Sequence, residues 1–319
     1  MKKNKIIPFY QKRWIYFTIS LVIMISGIIA IFANGVQLDI QFKGGAVLKY
    51  SYVGEVNTET ASNIVDELLD RPVTAQTTSD FVSGKELLVL NIADDYGLDA
   101  GDQQKVDAAL KEQFPDQTIA LSESSVVQPF FGQKFLRNGI LSLAISSLLV
   151  VLYVWIRFRK IGGLSAGIMA LVALFHDVFV VFFACVIMKI PIGDSFIAVA
   201  LTIIGYSIND TIVIYDRIRE NERRLKKVPI ETVTDLSITQ SISRSINTNL
   251  AVLISISAVY LLAFSHNIDS IKNFALPMAI GAVSGCYSTI CIAGPLWVMW
   301  KKRKSRKGGY IQKARKAES

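Results

Sequence analysis

The sequence predicts an α-helical polytopic membrane protein: six transmembrane helices, both termini cytoplasmic, and one exported α+β domain between helices 1 and 2. Three observations lead there. Apolar residues make up 51% of the 319 residues and mean hydropathy is +0.41, well above the range of soluble domains. Six stretches, at 14–33, 139–156, 163–188, 192–215, 246–264 and 274–300, are apolar and long; crossing a bilayer takes roughly 17–25 residues. The interval 35–136 breaks the pattern, with 16 acids against 7 bases.

The first stretch follows a basic start (Lys2, Lys3, Lys5, Lys12, Arg13). Its apolar length exceeds a signal-peptide core and Ile31-Phe-Ala33 is a poor cleavage site, so it reads as an uncleaved anchor within residues 1–34. In 35–136 the apolar alternation at 36, 38, 40 and 42 predicts a strand over 36–53, bent or bulged at Gly44 and Gly45. A helical period runs from Thr58 through Leu69 to Arg71-Pro72. Strands are predicted at 73–82 and 87–92, a helix capped by Asp99 and stopped at Pro115, and a last strand at 118–127. The order β-α-β-β-α-β is that of a ferredoxin-like split unit. Residues 137–300 hold helices 2–6 and a charged, then amphipathic, cytoplasmic segment 216–245; residues 301–319 form a basic tail. The final stretch is longer than a span needs and is read as tilted or partly interfacial.

Charge sets the orientation. Segments 1–13, 157–162, 216–245 and 301–319 carry 5, 3, 7 and 9 Lys or Arg, 24 of the 34, whereas the short loops on the other side carry only Lys189 and Lys272. The interval 35–136 therefore lies outside a plasma or inner membrane. The pI of 9.3 follows from topology and anionic lipid, with no need of nucleic acid. Cys185, Cys286 and Cys291 all lie in apolar helices and read as packing residues, not as a disulfide framework or metal site. No Walker loop, GxGxxG turn or HExxH motif is present, so neither nucleotide hydrolysis nor a bound cofactor is expected, and the chain is not read as an enzyme.

The candidate functional residues are polar groups inside apolar helices. Asp210 lies within the fourth stretch, where a charge costs about 2.5–3.5 kcal/mol even on the mildest scale. Tyr206, Ser207, Asp210 and Ile214 follow helical spacing, with Asn209 beside them. On the fifth helix Arg244, Thr248, Ala251 and Ser255 share a face. If the two faces meet, Asp210, Arg244 and Thr248 form a cluster that either relays protons or ions or locks two helices together. His176 and Asp177 sit mid-way along the third stretch; adjacent residues point about 100° apart and are not expected to serve one site. Gly281 and Gly285 form a GxxxG pattern that permits close helix approach, within this chain or with another subunit.

Several of these segments resemble the SecF family, membrane subunits of the bacterial Sec protein-export machinery. Gly205-Tyr-Ser-Ile-Asn-Asp-Thr-Ile-Val-Ile-Tyr-Asp-Arg-Ile-Arg-Glu-Asn221 is similar to that family's fourth-helix signature, with Tyr215 where Phe is common. Ser237-Ile-Thr-Gln-Ser-Ile-Ser-Arg-Ser-Ile-Asn-Thr-Asn249 resembles its fifth-helix entry, and Leu174-Phe-His-Asp-Val178 also fits. Two departures stand out. Gln41-Phe-Lys-Gly-Gly45 replaces the usual Asp-Phe-x-Gly-Gly, although Asp39 is two residues away, and Ala251-Val252 replaces a common Thr-Thr pair. The resemblance implies a complex with SecD, assistance to the SecYEG channel and SecA-driven preproteins, and use of the proton-motive force late in export. The rival readings are a proton-coupled small-molecule efflux transporter of the same RND superfamily and a passive scaffold for SecD.

Overall fold

Long apolar runs close their backbone hydrogen bonds internally as helices, the one open structure that hydrocarbon tolerates. A computed structural model describes residues 6–39, 42, 45–79, 86–93, 98–127, 129–266 and 268–304. Helix α1 spans Arg13–Asn34. A small domain follows: β1 (Gly45–Tyr52), α2 (Thr58–Leu69), β2 (Val73–Ser79), β3 (Glu86–Ala93), α3 (Ala100–Gln113) and β4 (Ala120–Val127). The chain then enters α4 (Pro129–Arg157), α5 (Gly163–Ile187), α6 (Asp194–Arg224), α7 (Ile230–Ser265) and α8 (Asp269–Ser288). Helix α8 runs on through a π-helical turn at Thr289–Ala293 to Lys304. Six of these helices are long and apolar enough to cross a membrane, so the chain is mostly helical with one small sheet.

Sheet and helices are each built around their own core. The four strands are antiparallel in the order β2-β3-β1-β4. Apolar residues Leu48, Tyr50, Leu88, Leu90 and Ile92 on one face meet Ala61 and Val65 of α2 and Val106 and Leu110 of α3. The caps are local. The Asn57 side chain accepts from the Glu59 and Thr60 amides, and Asp99 accepts from the Asp102 amide. The expected strand 36–53 is shorter than its alternation suggested, starting only at Gly45, where φ is +138°. The residues before it are drawn onto the helices instead. Leu38 bridges Ile192, the Asp39 amide donates to the Ile192 carbonyl at 3.0 Å and the Ile192 amide to the Gln37 carbonyl at 2.8 Å. Phe42 is buried against Val181, Ile192, Val199 and Met278. Leu38 and Phe42 thus pack toward the helices and do not pair in the sheet, while Val36 is exposed and Ile40 lies outside the described residues. Gly44 lies outside the described residues.

In the bundle α5, α6 and α8 form the buried centre, and α1, α4 and α7 surround them. The outer helices expose Phe32, Leu148, Ile254 and Leu261, a surface that only lipid or another apolar partner would solvate. Two predicted spans are parts of longer helices: 192–215 continues to Arg224, and 246–264 is the far half of the 36-residue α7. The charged segment between them is a helical hairpin. Asn221 donates to Ser237 Oγ and to Gln240 Oε1, each at 2.9 Å, and Arg217 Nε donates to Gln240 Oε1 at 2.6 Å. The N-terminal segment docks on the same end. Phe9 is buried, and the Tyr10 amide donates to Asp235 Oδ1 at 2.9 Å.

The turn from α4 into α5 is built for glycine. A methyl at Gly163 would lie 2.3 Å from the Trp155 carbonyl oxygen and 3.0 Å from the Phe158 carbonyl carbon. Neither backbone atom can rotate away. Gly163→Ala should therefore lower stability by about 1–3 kcal/mol, read as a fall in the unfolding temperature of the detergent-solubilised protein. Gly205→Ala, where nothing lies within 4 Å, should leave it unchanged or raise it.

Candidate functional site

Among the described residues two carboxylates are buried within the predicted spans, Asp177 and Asp210, and their surroundings differ. Asp177, on α5, is completely buried. It accepts hydrogen bonds from Ser207 Oγ of α6 at 2.8 Å and from Ser284 Oγ and Ser288 Oγ of α8, each at 2.7 Å. A buried carboxylate without such donors would cost several kcal/mol, so these hydroxyls are what lets it stay. His176 Nδ1 stands 3.3 Å from Asp177 Oδ1, and its ring packs at 6.0 Å from that of Tyr287. This corrects the expectation that the two adjacent residues would serve separate places, because the histidine ring folds back along the helix to reach its neighbour.

The GxxxG pattern of α8 creates that arrangement within one chain. A methyl at Gly281 would lie 2.0 Å from Ile203 Cδ1, and one at Gly285 would lie 3.1 Å from Ser207 Cβ. The two glycines let α8 press against α6. That approach brings Ser284 and Ser288, one turn apart, onto the same carboxylate. One residue further, Thr289 Oγ1 meets Thr211 Oγ1 at 3.1 Å, where the π-helical turn begins.

Asp210, three residues beyond Ser207, is also buried but faces α7, where Asn249 Nδ2 donates to Oδ2 at 3.0 Å. Asn249 also donates to the Ser245 carbonyl at 2.9 Å. Arg244 and Thr248 are not in this contact. Arg244 is exposed and lines a groove of about 780 Å³ with Asp216, Glu220 and Gln240, and Thr248 Oγ1 donates to the Arg244 carbonyl at 2.9 Å. Among the described residues no ion pair joins Arg244 to Asp210. The expected trio is thus displaced by one position. Ser237, Ser241, Ser245 and Asn249, at steps of four, are all buried, whereas the face of Arg244, Thr248, Ala251 and Ser255 lies about 100° away and turns outward.

The remaining candidates divide similarly. Ser207 serves Asp177 and not Asp210. Asn209 is exposed and, with Tyr206, lines a cleft of about 830 Å³ between α4 and α6. Among the described residues no group of three or more His, Cys, Asp or Glu is placed to hold a metal ion. Reasoning from sequence missed Asn249, Ser284 and Ser288. The four-residue polar stripe ending at Asn249 and the serine pair beside the glycines were the signals available for them.

Two satisfied carboxylates at the centre of six apolar helices, with a small sheet domain inserted after the first helix, define a polytopic membrane protein with a polar core. The description "Protein export membrane protein SecD/SecF, C-terminal" belongs to the family profile that matches residues 105–303. A protein translocase subunit SecF of Alicyclobacillus acidocaldarius is 35% identical over 309 residues, 95% of each chain. The SecDF translocase subunit of Bacillus subtilis is 32% identical over 94% of this chain and 39% of its own. The crystal structure of a Thermus SecDF, described as translocon-associated, superposes with a TM-score of 0.78 at 26% identity, over 95% of this chain and 40% of that one. The chain belongs to the SecD/SecF family of protein-export membrane proteins. It is a translocase subunit and not an enzyme, and the efflux reading is set aside.

The hydroxyl cluster makes a measurable claim. Ser288→Ala removes one of the three hydroxyl bonds to the buried Asp177 and should cost about 1–3 kcal/mol, seen as a lowered unfolding temperature. Ser255→Ala, which loses only a bond to its own helix at the exposed Ala251 carbonyl, should change stability little. Equal effects would show that the carboxylate is not the acceptor that matters.

Proposed function

We propose that this chain, assembled with SecD, couples the proton-motive force to the late export of preproteins through SecYEG, with SecA driving the earlier stage. Association with SecD is supported by relatives in which both names belong to one polypeptide, SecDF. In this reading both termini are cytoplasmic, as the distribution of Lys and Arg argues. Residues 35–136 form an extracytoplasmic ferredoxin-like domain, an assignment supported by the strand order β2-β3-β1-β4, and contact chains as they emerge.

Asp210 is the proposed proton carrier, and one observation carries this assignment: a buried carboxylate in a membrane helix whose direct partner is the neutral amide of Asn249. Arg244 acts on it only through space, without an ion pair, and a buried carboxylate so placed in a spanning helix is a group suited to take up and release a proton. Arg244 and Thr248 act from the adjoining face of α7. Arg244 and Asn249 are five positions apart, about 7.5 Å along the helix, and a rotation of α7 by about 100° would exchange one face for the other. Asp177, with His176, Ser207 and the α8 serines, holds α5, α6 and α8 together around the carrier. Asn209, on the cleft-lining face of α6, is available to a neighbouring subunit.

Asp210→Asn keeps the size and hydrogen-bonding capacity of the side chain but does not titrate. Inserted at matched levels with SecD in inverted membrane vesicles, it should abolish the stimulation of preprotein release by an imposed gradient while leaving ATP-driven translocation intact. Stimulation undiminished from wild type would remove Asp210 from the coupling. Loss of SecD association would instead mark it as a structural lock.

A further inference from the structure

We infer that the end of the bundle where α4 turns into α5 and α8 terminates is a binding site for the phosphate headgroup of an anionic phospholipid. A cavity of about 630 Å³ opens there, with Arg159, Arg303 and Lys304 among its lining residues and no acid. Three other cations at this end are paired with acids. Arg157 pairs with Asp216 at 2.9 Å, Lys301 with Glu222 at 2.5 Å and Lys302 with Glu231 at 2.9 Å. Among the described residues Arg159, Arg303 and Lys304 have no such acid. Three cations converging without a counter-charge repel one another unless an anion joins them.

The floor of the cavity adds donors of the same sense. It is the first turn of the 25-residue α5, from Gly162 to Ser165. Gly162 caps that helix at φ +94° and supplies no side chain, while Ser165 Oγ turns to the Gly162 carbonyl at 2.7 Å. The Ser165 amide donates to the Gly162 carbonyl at 2.9 Å, and no side chain caps the Gly163 and Leu164 amides before it, a helix start that an anion would complete.

The walls select a lipid over a free anion. Trp155 and Trp300 line the cavity and are 44% and 49% exposed, and Leu164 and Ile168 line it too, 51% and 38% exposed. Tryptophan at the end of a spanning helix marks headgroup level, and the exposed aliphatic surface provides a bed for acyl chains. Cations, exposed indoles and exposed aliphatic groups lining one cavity match the phosphate, glycerol and chain regions of one molecule.

The test is native mass spectrometry of the detergent-solubilised full chain titrated with dioleoyl phosphatidylglycerol or dioleoyl phosphatidylcholine. Phosphatidylglycerol should be retained at lower concentration. The triple variant Arg159→Gln, Arg303→Gln, Lys304→Gln should weaken that retention on the order of a hundredfold, leaving phosphatidylcholine unchanged. Arg224→Gln, Lys226→Gln, Lys227→Gln removes equal charge from the nearby turn after α6 and should have little effect. Equal loss in both triple variants would reduce the proposal to general attraction. Displacement of the lipid by millimolar inorganic phosphate would make this a free-anion site and overturn the lipid assignment. Should the first variant fail to fold, wild-type protein still decides: dibromo-phosphatidylglycerol should quench fluorescence more than dibromo-phosphatidylcholine, and Trp155→Phe combined with Trp300→Phe should remove the difference. No difference between the two lipids in wild type would overturn the site.

Discussion

A carboxylate inside a membrane bundle has to find its hydrogen bonds within the protein, and Asp177 finds three on two neighbouring helices. Most of the bundle's geometry follows from that need. The donors reach one point only if α6 and α8 approach within the reach of a serine side chain, and Gly281 and Gly285 permit that approach. Once α8 is pressed there, Thr211 and Thr289 meet and α5, α6 and α8 become the buried centre. Apolar packing alone would not choose this register, because lipid tails satisfy an aliphatic face as well as another helix does. Directional bonds to a single acceptor do choose it.

Much of this was legible in the sequence, and the misses have physical causes. Apolar length found all six helices, but it measures only the hydrocarbon part of each; α6 and α7 continue as a polar hairpin whose stability comes from Asn221, Ser237 and Gln240. The intramembrane position of Asp210 was plain from its neighbours. Its partner was not, because opposite charges suggest Arg244, whereas on α7 the buried seam is the stripe of Ser237, Ser241, Ser245 and Asn249. An offset of one residue turns a side chain by about 100°. Hydropathy does not reveal which of two polar stripes faces inward when the outward one can be solvated by headgroups or by another subunit.

The sheet domain gives the complementary lesson. Alternation at 36–42 has the period of a strand, yet Leu38 and Phe42 are claimed by the helices through Ile192. A period of two records that alternate residues are buried, not what buries them. The same contact ties the exit of α1 to the loop entering α6, the helix that carries Asp210. Displacement of the inserted domain would therefore pull on a strap hydrogen-bonded to that loop at 2.8 and 3.0 Å.

The two carboxylates are suited to different tasks by the number and rigidity of their donors. Asp177 is held by three hydroxyls from two helices, so any movement of α8 against α5 and α6 breaks several bonds at once. Asp210 has one amide from α7, a helix at the edge of the bundle with most of its apolar face open. Moving α7 breaks that one hydrogen bond at the carboxylate, together with packing against α6 and α8, and brings a different set of side chains opposite it. A coupling device needs one part that stays and one part that moves between two arrangements of similar energy. The hydroxyl-locked trio of α5, α6 and α8 has the properties of the first, and the peripheral α7, which meets Asp210 through one side chain, is placed to supply the second.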